Sequence, residues 1–190
     1  MMLEKFAIVS IIVGFAVMGC GGVEDDPITA TAQLALHDDD CDSDSDSDSD
    51  SDQLRRLRRT FRRVTRIYRD PDNLAPNGFV PLQDTCFEED EGAVQLGLVY
   101  LRPAIVDGVI NKNKPEILYY EPRADGSLRL MGGEYFCPIE ACPTPPTLFG
   151  QTFRFEADTN GHALHVWAWL RNPNGLTAPS NPRVDTTYCP

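Results

Sequence analysis

The sequence predicts a mainly β (α+β) protein: a single antiparallel β-sheet or sandwich-like domain with one N-terminal amphipathic helix, preceded by a signal peptide and a disordered acidic tether. Three observations predict it. From residue 79 onward, short runs rich in Val, Leu, Tyr, Phe and Trp alternate with Gly, Pro, Asn and Asp, the punctuation of strands and turns. Before them, residues 53–69 place apolar side chains at helical spacing. Before that helix, the chain has one short apolar run near its start and then a long acidic stretch.

The apolar run, residues 6–18, ends in Val17-Met18-Gly19-Cys20. A bilayer takes about 20 apolar residues to span, so the run reads as a signal peptide over residues 1–19 rather than a membrane span. Gly-Cys at the close of such a run is the lipoprotein pattern. Cleavage before Cys20 leaves its thiol to carry diacylglycerol and its amino group a further acyl chain, and multiple acylation anchors stably. The expected address is the bacterial cell envelope, lipid-anchored. The expected first partner is the membrane, through that N-terminal lipid.

The formal net charge is −12, unevenly spread. Residues 24–52 hold twelve Asp and Glu and no Lys or Arg, whereas residues 53–190 hold sixteen of each sign. The acidity belongs to the tether and carries no information about a substrate. Within the remainder, residues 53–69 contribute eight arginines and no acid, which leaves residues 70–190 at −8. Residues 53–190 are enough for one domain with a real core and leave no room for a second.

The tether is residues 20–52. From Asp42 to Asp52, Ser and Asp alternate strictly. With nothing apolar to bury, the stretch is expected to be disordered, a solvated spacer holding the domain off the membrane. It lacks the turn glycine and bidentate glutamate of a calcium loop. Nine aspartates directly before eight arginines also predict that the tether's end folds back over the arginine face.

The helix has its stripe at Leu54, Leu57, Phe61, Val64 and Tyr68, with Asp52 as the expected N-cap and Pro71 as the stop. A basic amphipathic helix suits anionic lipid or nucleic acid. An exported lipoprotein does not meet nucleic acid, and so narrow a stripe suits docking on the domain behind it as well as membrane contact. Docking is the expectation.

The strands follow in order. Residues 94–100 and 116–121 are β-rich, and the turn at residues 124–127 joins the latter to residues 128–136 as a hairpin. Residues 152–156 and 163–170 form a second pair across Asp158-Thr-Asn-Gly161. Asn172-Pro-Asn-Gly175 and Asn181-Pro182 are turn formers.

Residues 57–189 resemble a family of uncharacterised exported bacterial (lipo)proteins. The resemblance rests on Gly78-Phe-Val-Pro81, Cys86, residues 115–122 (Pro-Glu-Ile-Leu-Tyr-Tyr-Glu-Pro), Leu148-Phe-Gly-Gln151, Leu164-His-Val-Trp-Ala-Trp169, Asn172-Pro-Asn-Gly175 and Asn181-Pro-Arg-Val184. It implies that the arginine helix is part of the domain. It implies no activity, because the family has none assigned.

Export makes disulfides the default for the cysteines. Cys41 lies in the tether, which leaves four in the domain and three pairings. The short Pro-containing loop between Cys137 and Cys142 suits a local bridge, and Cys86 with Cys189 would then tie the domain's start to its end. The resemblance agrees, since related sequences keep the outer two positions and lack the inner pair. The rival is a metal site, for which one Cys-x4-Cys is weak support. Cys41 remains a free thiol or an intermolecular bridge.

In residues 164–170 the strand period puts His165, Trp167 and Trp169 on one face and aliphatic residues on the other. Each residue of that first face carries an N–H that needs a partner. Glu134 follows two glycines that would let something approach its backbone closely. If the two strands are neighbours, Glu134 and His165 form either a buried hydrogen-bonded pair or two ligands of a divalent metal. His162 cannot share the His165 face if the strand begins that early. The resemblance implies a third imidazole on the strand that here reads Gly97-Leu-Val-Tyr100, where none is present. No nucleophile elbow, phosphate loop or glycosidase carboxylate motif is visible. The expected function is a membrane-tethered binding or structural module whose Glu134, His165, Trp167 and Trp169 face meets an envelope ligand or protein partner. The alternative is a metal-dependent envelope enzyme using Glu134 and His165, and the third reading is an arginine helix that engages anionic lipid.

Overall fold

The computed structural model describes residues 45–89 and 94–190. The expected signal peptide, Cys20, Cys41 and the expected tether up to residue 44 lie outside the described residues.

The helix α1 (Ser45–Thr65) runs for 21 residues, about 31 Å. It begins seven residues ahead of the expected cap. Residues 45–52 are therefore helical rather than disordered, and Asp52 lies inside the helix, where its carboxylate accepts from Arg55. The physical reason is electrostatic. An Asp–Arg pair three residues apart supports the helix where the apolar stripe has not yet begun. Residues 45–52 extend along the axis ahead of the arginines rather than over them; the other aspartates of the fold-back expectation, Asp38 to Asp44, lie outside the described residues.

The stripe docks as expected. Leu57, Phe61 and Tyr68 are buried, while Leu54 and Val64 are half-buried and all eight arginines stay exposed. Past Thr65 the chain tightens into 3-10 turns at Arg66–Arg69, Pro71–Asn73 and Ala75–Asn77. Pro71 opens the second of these, where its missing N–H costs nothing.

The sheet contains β1 (Val80–Pro81), β2 (Phe87–Glu89), β3 (Val94–Leu101), β4 (Ile117–Pro122), β5 (Leu128–Pro138), β8 (Arg154–Glu156) and β9 (Gly161–Val166), with β6 (Thr147–Leu148) and β7 (Gln151–Thr152) as a separate ribbon. Its order is β1-β3-β4-β5-β9-β8, with β2 also pairing β3, and every pairing is antiparallel. The predicted strand at residues 152–156 is split, because the Phe153 N–H bonds Pro146 O and its ring is buried. The one at residues 163–170 stops at Val166, where the Trp167 N–H turns away to Leu176 O.

Both sheet faces are covered, so β4 and β9 are buried at every residue. On one face Leu57, Phe61 and Tyr68 pack with Leu118, Tyr120, Tyr135, Leu164 and Val166. On the other Leu96, Val99, Ile117, Tyr119, Met131, Phe136 and Trp167 pack with Val184 of the C-terminal segment. Two bulges adjust this second face. At Gly97 (φ +73°) β3 shifts register against β2, and a Cβ there would lie 2.4 Å from Tyr120 O. On β5 the extra residue is Met131, since Tyr119 opposes Gly132 and Tyr120 opposes Leu130.

Cys86 is bonded to Cys189 and Cys137 to Cys142, with Cα separations of 5.6 and 6.0 Å. Both bonds fit a compartment outside the cytoplasm. Among the described residues no helix is long and apolar enough to cross a membrane.

Candidate functional site

The β5–β9 register places Glu134 directly opposite His165, and both side chains face the cluster that contains Tyr119. On β4, Ile117 opposes Glu134 and Tyr119 opposes Gly132, so no side chain stands opposite the phenol on β5. The phenol reaches both partners. The Tyr119 hydroxyl donates to the Glu134 carboxylate and lies 3.0 Å from His165 Nδ1. With its proton given to the carboxylate, the phenol oxygen is left to accept from Nδ1–H. His165 Nε2 then faces Glu134 Oε2 at 3.4 Å and Glu156 Oε1 at 3.5 Å.

All three groups are buried, at 1 % exposure for Tyr119, 6 % for Glu134 and 5 % for His165. Burial pushes the Glu134 carboxyl above its usual range; the His165 charge and the Tyr119 hydrogen bond oppose this, and Glu156 adds to it. The site is thus a hydrogen-bonded triad with a second carboxylate at its edge. Next to it opens a cleft of about 40 Å³ with walls formed by Leu82, Phe87, Leu96, Val99 and Ile117. Glu156, Asp158 and Thr159 complete the lining, which has no Lys or Arg.

Glu134 and His165 meet as the sequence suggested, and His162, buried on the opposite face, stays apart. Three expectations need correction. Trp169 does not share the His165 face: the chain turns after Val166, so Trp169 packs against the helix-side core and gives its N–H to Thr65 Oγ1 at 3.0 Å. Trp167 is on the His165 face but is 1 % exposed, stacked 5.4 Å from Tyr119 with its N–H bonded to Ala178 O at 2.7 Å. A Trp-rich contact surface therefore does not exist. Nor do the glycines before Glu134 open the backbone to a ligand. A Cβ at Gly132 would lie 2.4 Å from Val166 O and one at Gly133 2.2 Å from Ile117 O, so the close approach is that of the neighbouring strands.

Tyr119 and Glu156 escaped sequence reasoning. A signal for the first is the pair Tyr119-Tyr120, which puts one hydroxyl on each face of a strand that had to be covered on both. Glu156 stands where β8 opposes Gly161, two residues past Arg154 opposite Ala163.

The metal reading of Glu134 and His165 gains no third donor. Among the described residues no group of three His, Cys, Asp or Glu side chains could hold a metal ion. What the arrangement can do is hold a proton or a cation at a buried carboxylate beside an apolar wall. No family model, no curated protein and no solved structure matches the chain.

Proposed function

We propose that this chain is a membrane-tethered cell-envelope lipoprotein that acts as a binding module, with the cleft at Tyr119, Glu134 and His165 as its ligand seat. The observation that supports it is the triad itself, a buried hydrogen-bonded network that opens on a cleft with an apolar wall on one side and carboxylates on the other. Glu134, Glu156 and Asp158 line it with His165 as the one basic group, so the seat favours a small organic cation. The carboxylates would accept from an ammonium group while Leu96, Val99 and Ile117 take a short apolar body.

The test is a thermal-unfolding titration with n-propylammonium chloride against sodium chloride. The wild-type midpoint should rise with the amine, and Glu134→Gln should remove the rise. Equal midpoints in both salts sink the reading, as does a zinc-dependent rise that needs Glu134 and His165, which would favour the metalloenzyme. The anchor is tested separately: Cys20→Ala should move the protein from the membrane to the soluble fraction or stall its processing.

A further inference from the structure

A second cleft lies on the helix-side edge of the domain, about 280 Å³ in volume, where three arginines from separate parts of the chain converge. Arg69 comes from the 3-10 turn after α1, Arg123 from the β4–β5 turn and Arg129 from β5. No carboxylate lines it. Two acids stand beside it: Glu121 pairs with Arg129 and accepts from the Asp185 N–H at 2.9 Å, and Asp125, which accepts from Ser127, feels the charge of Arg123 without forming an ion pair with it. Among the described residues Arg69 and Arg123 have no ion-pair partner, and the buried Nε of Arg129 has no acceptor. Residues 70–190 sum to −8, so this is a local concentration of positive charge in an acidic domain. Glu121 is bonded to Arg129 alone, so positive charge exceeds the counter-charge bound to it here, and a bound anion offsets the repulsion that remains.

Trp169 makes the cleft a built one. Its ring is held by the bond to Thr65, and Arg62 and Arg69 sit over it at 5.0 and 5.2 Å from its centroid. Arg62 is fixed further by its bond to Ala168 O at 2.8 Å. A guanidinium resting by its face on an aromatic ring keeps its N–H edge for an acceptor.

We propose that this cleft binds a phosphate group. To three guanidinium groups carried on separate elements a phosphate offers three or more acceptor oxygens and up to two negative charges, where a carboxylate offers two oxygens and one charge. The volume leaves room for part of whatever the phosphate esterifies, whether a soluble ester or a phospholipid headgroup. This inference is independent of the amine seat, which lies on the other face of the sheet.

The experiment follows tryptophan fluorescence of the intact protein at constant ionic strength, titrated with inorganic phosphate, glycerol phosphate, monomeric dihexanoyl phosphatidylglycerol and, as control, acetate. Displacing Arg69 from the Trp169 ring should give a saturable change. Arg69→Gln and Arg123→Gln should each weaken it by about tenfold, while Arg56→Gln on the exposed part of α1 leaves it unchanged. Arg123 lies in an exposed turn, so its variant remains a fair test should Arg69→Gln disturb the ring. Saturation by phosphate and glycerol phosphate identifies a soluble ester, and saturation by the lipid alone identifies a headgroup. Either upholds the site. No saturable change with any probe, an equal response to acetate, or an undiminished response in Arg123→Gln overturns it.

Discussion

Glu134 on β5 and His165 on β9 stand directly opposite one another, Oε2 to Nε2 at 3.4 Å, and a single hydroxyl, that of Tyr119, touches both. This makes Tyr119 the joint of the network. Tyr119→Phe keeps the ring and removes the oxygen, which leaves a buried carboxylate and imidazole short of one partner each. Urea unfolding should show a loss of about 1–3 kcal/mol. An unchanged midpoint would mean that the hydroxyl contributes nothing to holding the pair.

Glu116 gives a pH dependence with a defined sign. It is 1 % exposed, accepts from the Phe136 N–H at 3.0 Å, and burial raises its pKa from 4.5 to about 8. The folded state therefore holds a proton that the unfolded state has lost above its own value. Stability from this group is fully present below pH 4.5, falls as the pH rises, and is lost by about pH 8. With about 1.4 kcal/mol for each pKa step, the whole loss is on the order of 5 kcal/mol. Glu116→Gln retains an acceptor for Phe136 and should flatten the profile between those limits. An equally steep profile in the variant would assign the dependence elsewhere.

The Cys86–Cys189 bond closes a sequence separation of 103 residues. In the chain-entropy picture a loop of that size is worth about 4.7 kcal/mol. The six-residue loop closed by Cys137–Cys142 is worth about 2 kcal/mol on the same scale, so Cys86→Ser with Cys189→Ser should lower the denaturant midpoint about twice as far as Cys137→Ser with Cys142→Ser. Non-reducing peptide mapping of the native protein should recover the two native pairs and neither alternative.

His162 is buried at 4 % exposure on β9, edge-on to Phe155 at 5.8 Å, and neither ring nitrogen has a hydrogen-bond partner among the described residues. A buried polar group without a partner costs about 1–3 kcal/mol. His162→Leu should therefore be neutral or stabilising by about 1 kcal/mol in urea unfolding. A loss of more than about 1 kcal/mol would show that the imidazole has a structural role its surroundings do not display.

The helix and most of the strand positions were legible because Leu57, Phe61 and Tyr68 repeat with one period and the strands with another. The boundaries were less so. Asp and Ser are poor helix formers on average, so the alternating pattern carries no signal of a helix that starts at Ser45. Glu134 and His165 were legible as a pair once their strands were neighbours. Trp169 was not, because its face depends on where β9 ends, and that is decided by the distant Leu176 carbonyl. Tyr119 was invisible for a related reason: β4 is buried on both sides, so apolarity marks neither face as the site.

The Cys86–Cys189 bond also fixes how the molecule would bear a load. Residues 86–189 form a covalently closed ring that contains β2 to β9, while α1 lies outside it. A pull on the chain ahead of Ser45 acts on α1 first, then on the 3-10 turns and β1, which also precede Cys86. It would peel the helix from the sheet, withdrawing Leu57 and Phe61, and would stop at the bond without extending the ring. Arg62 and Arg69 would leave with the helix and dismantle the arginine cleft, whereas Tyr119, Glu134 and His165 all lie within the closed ring. Tension applied at the N-terminal end of α1 would thus distinguish the two sites, releasing one and sparing the other.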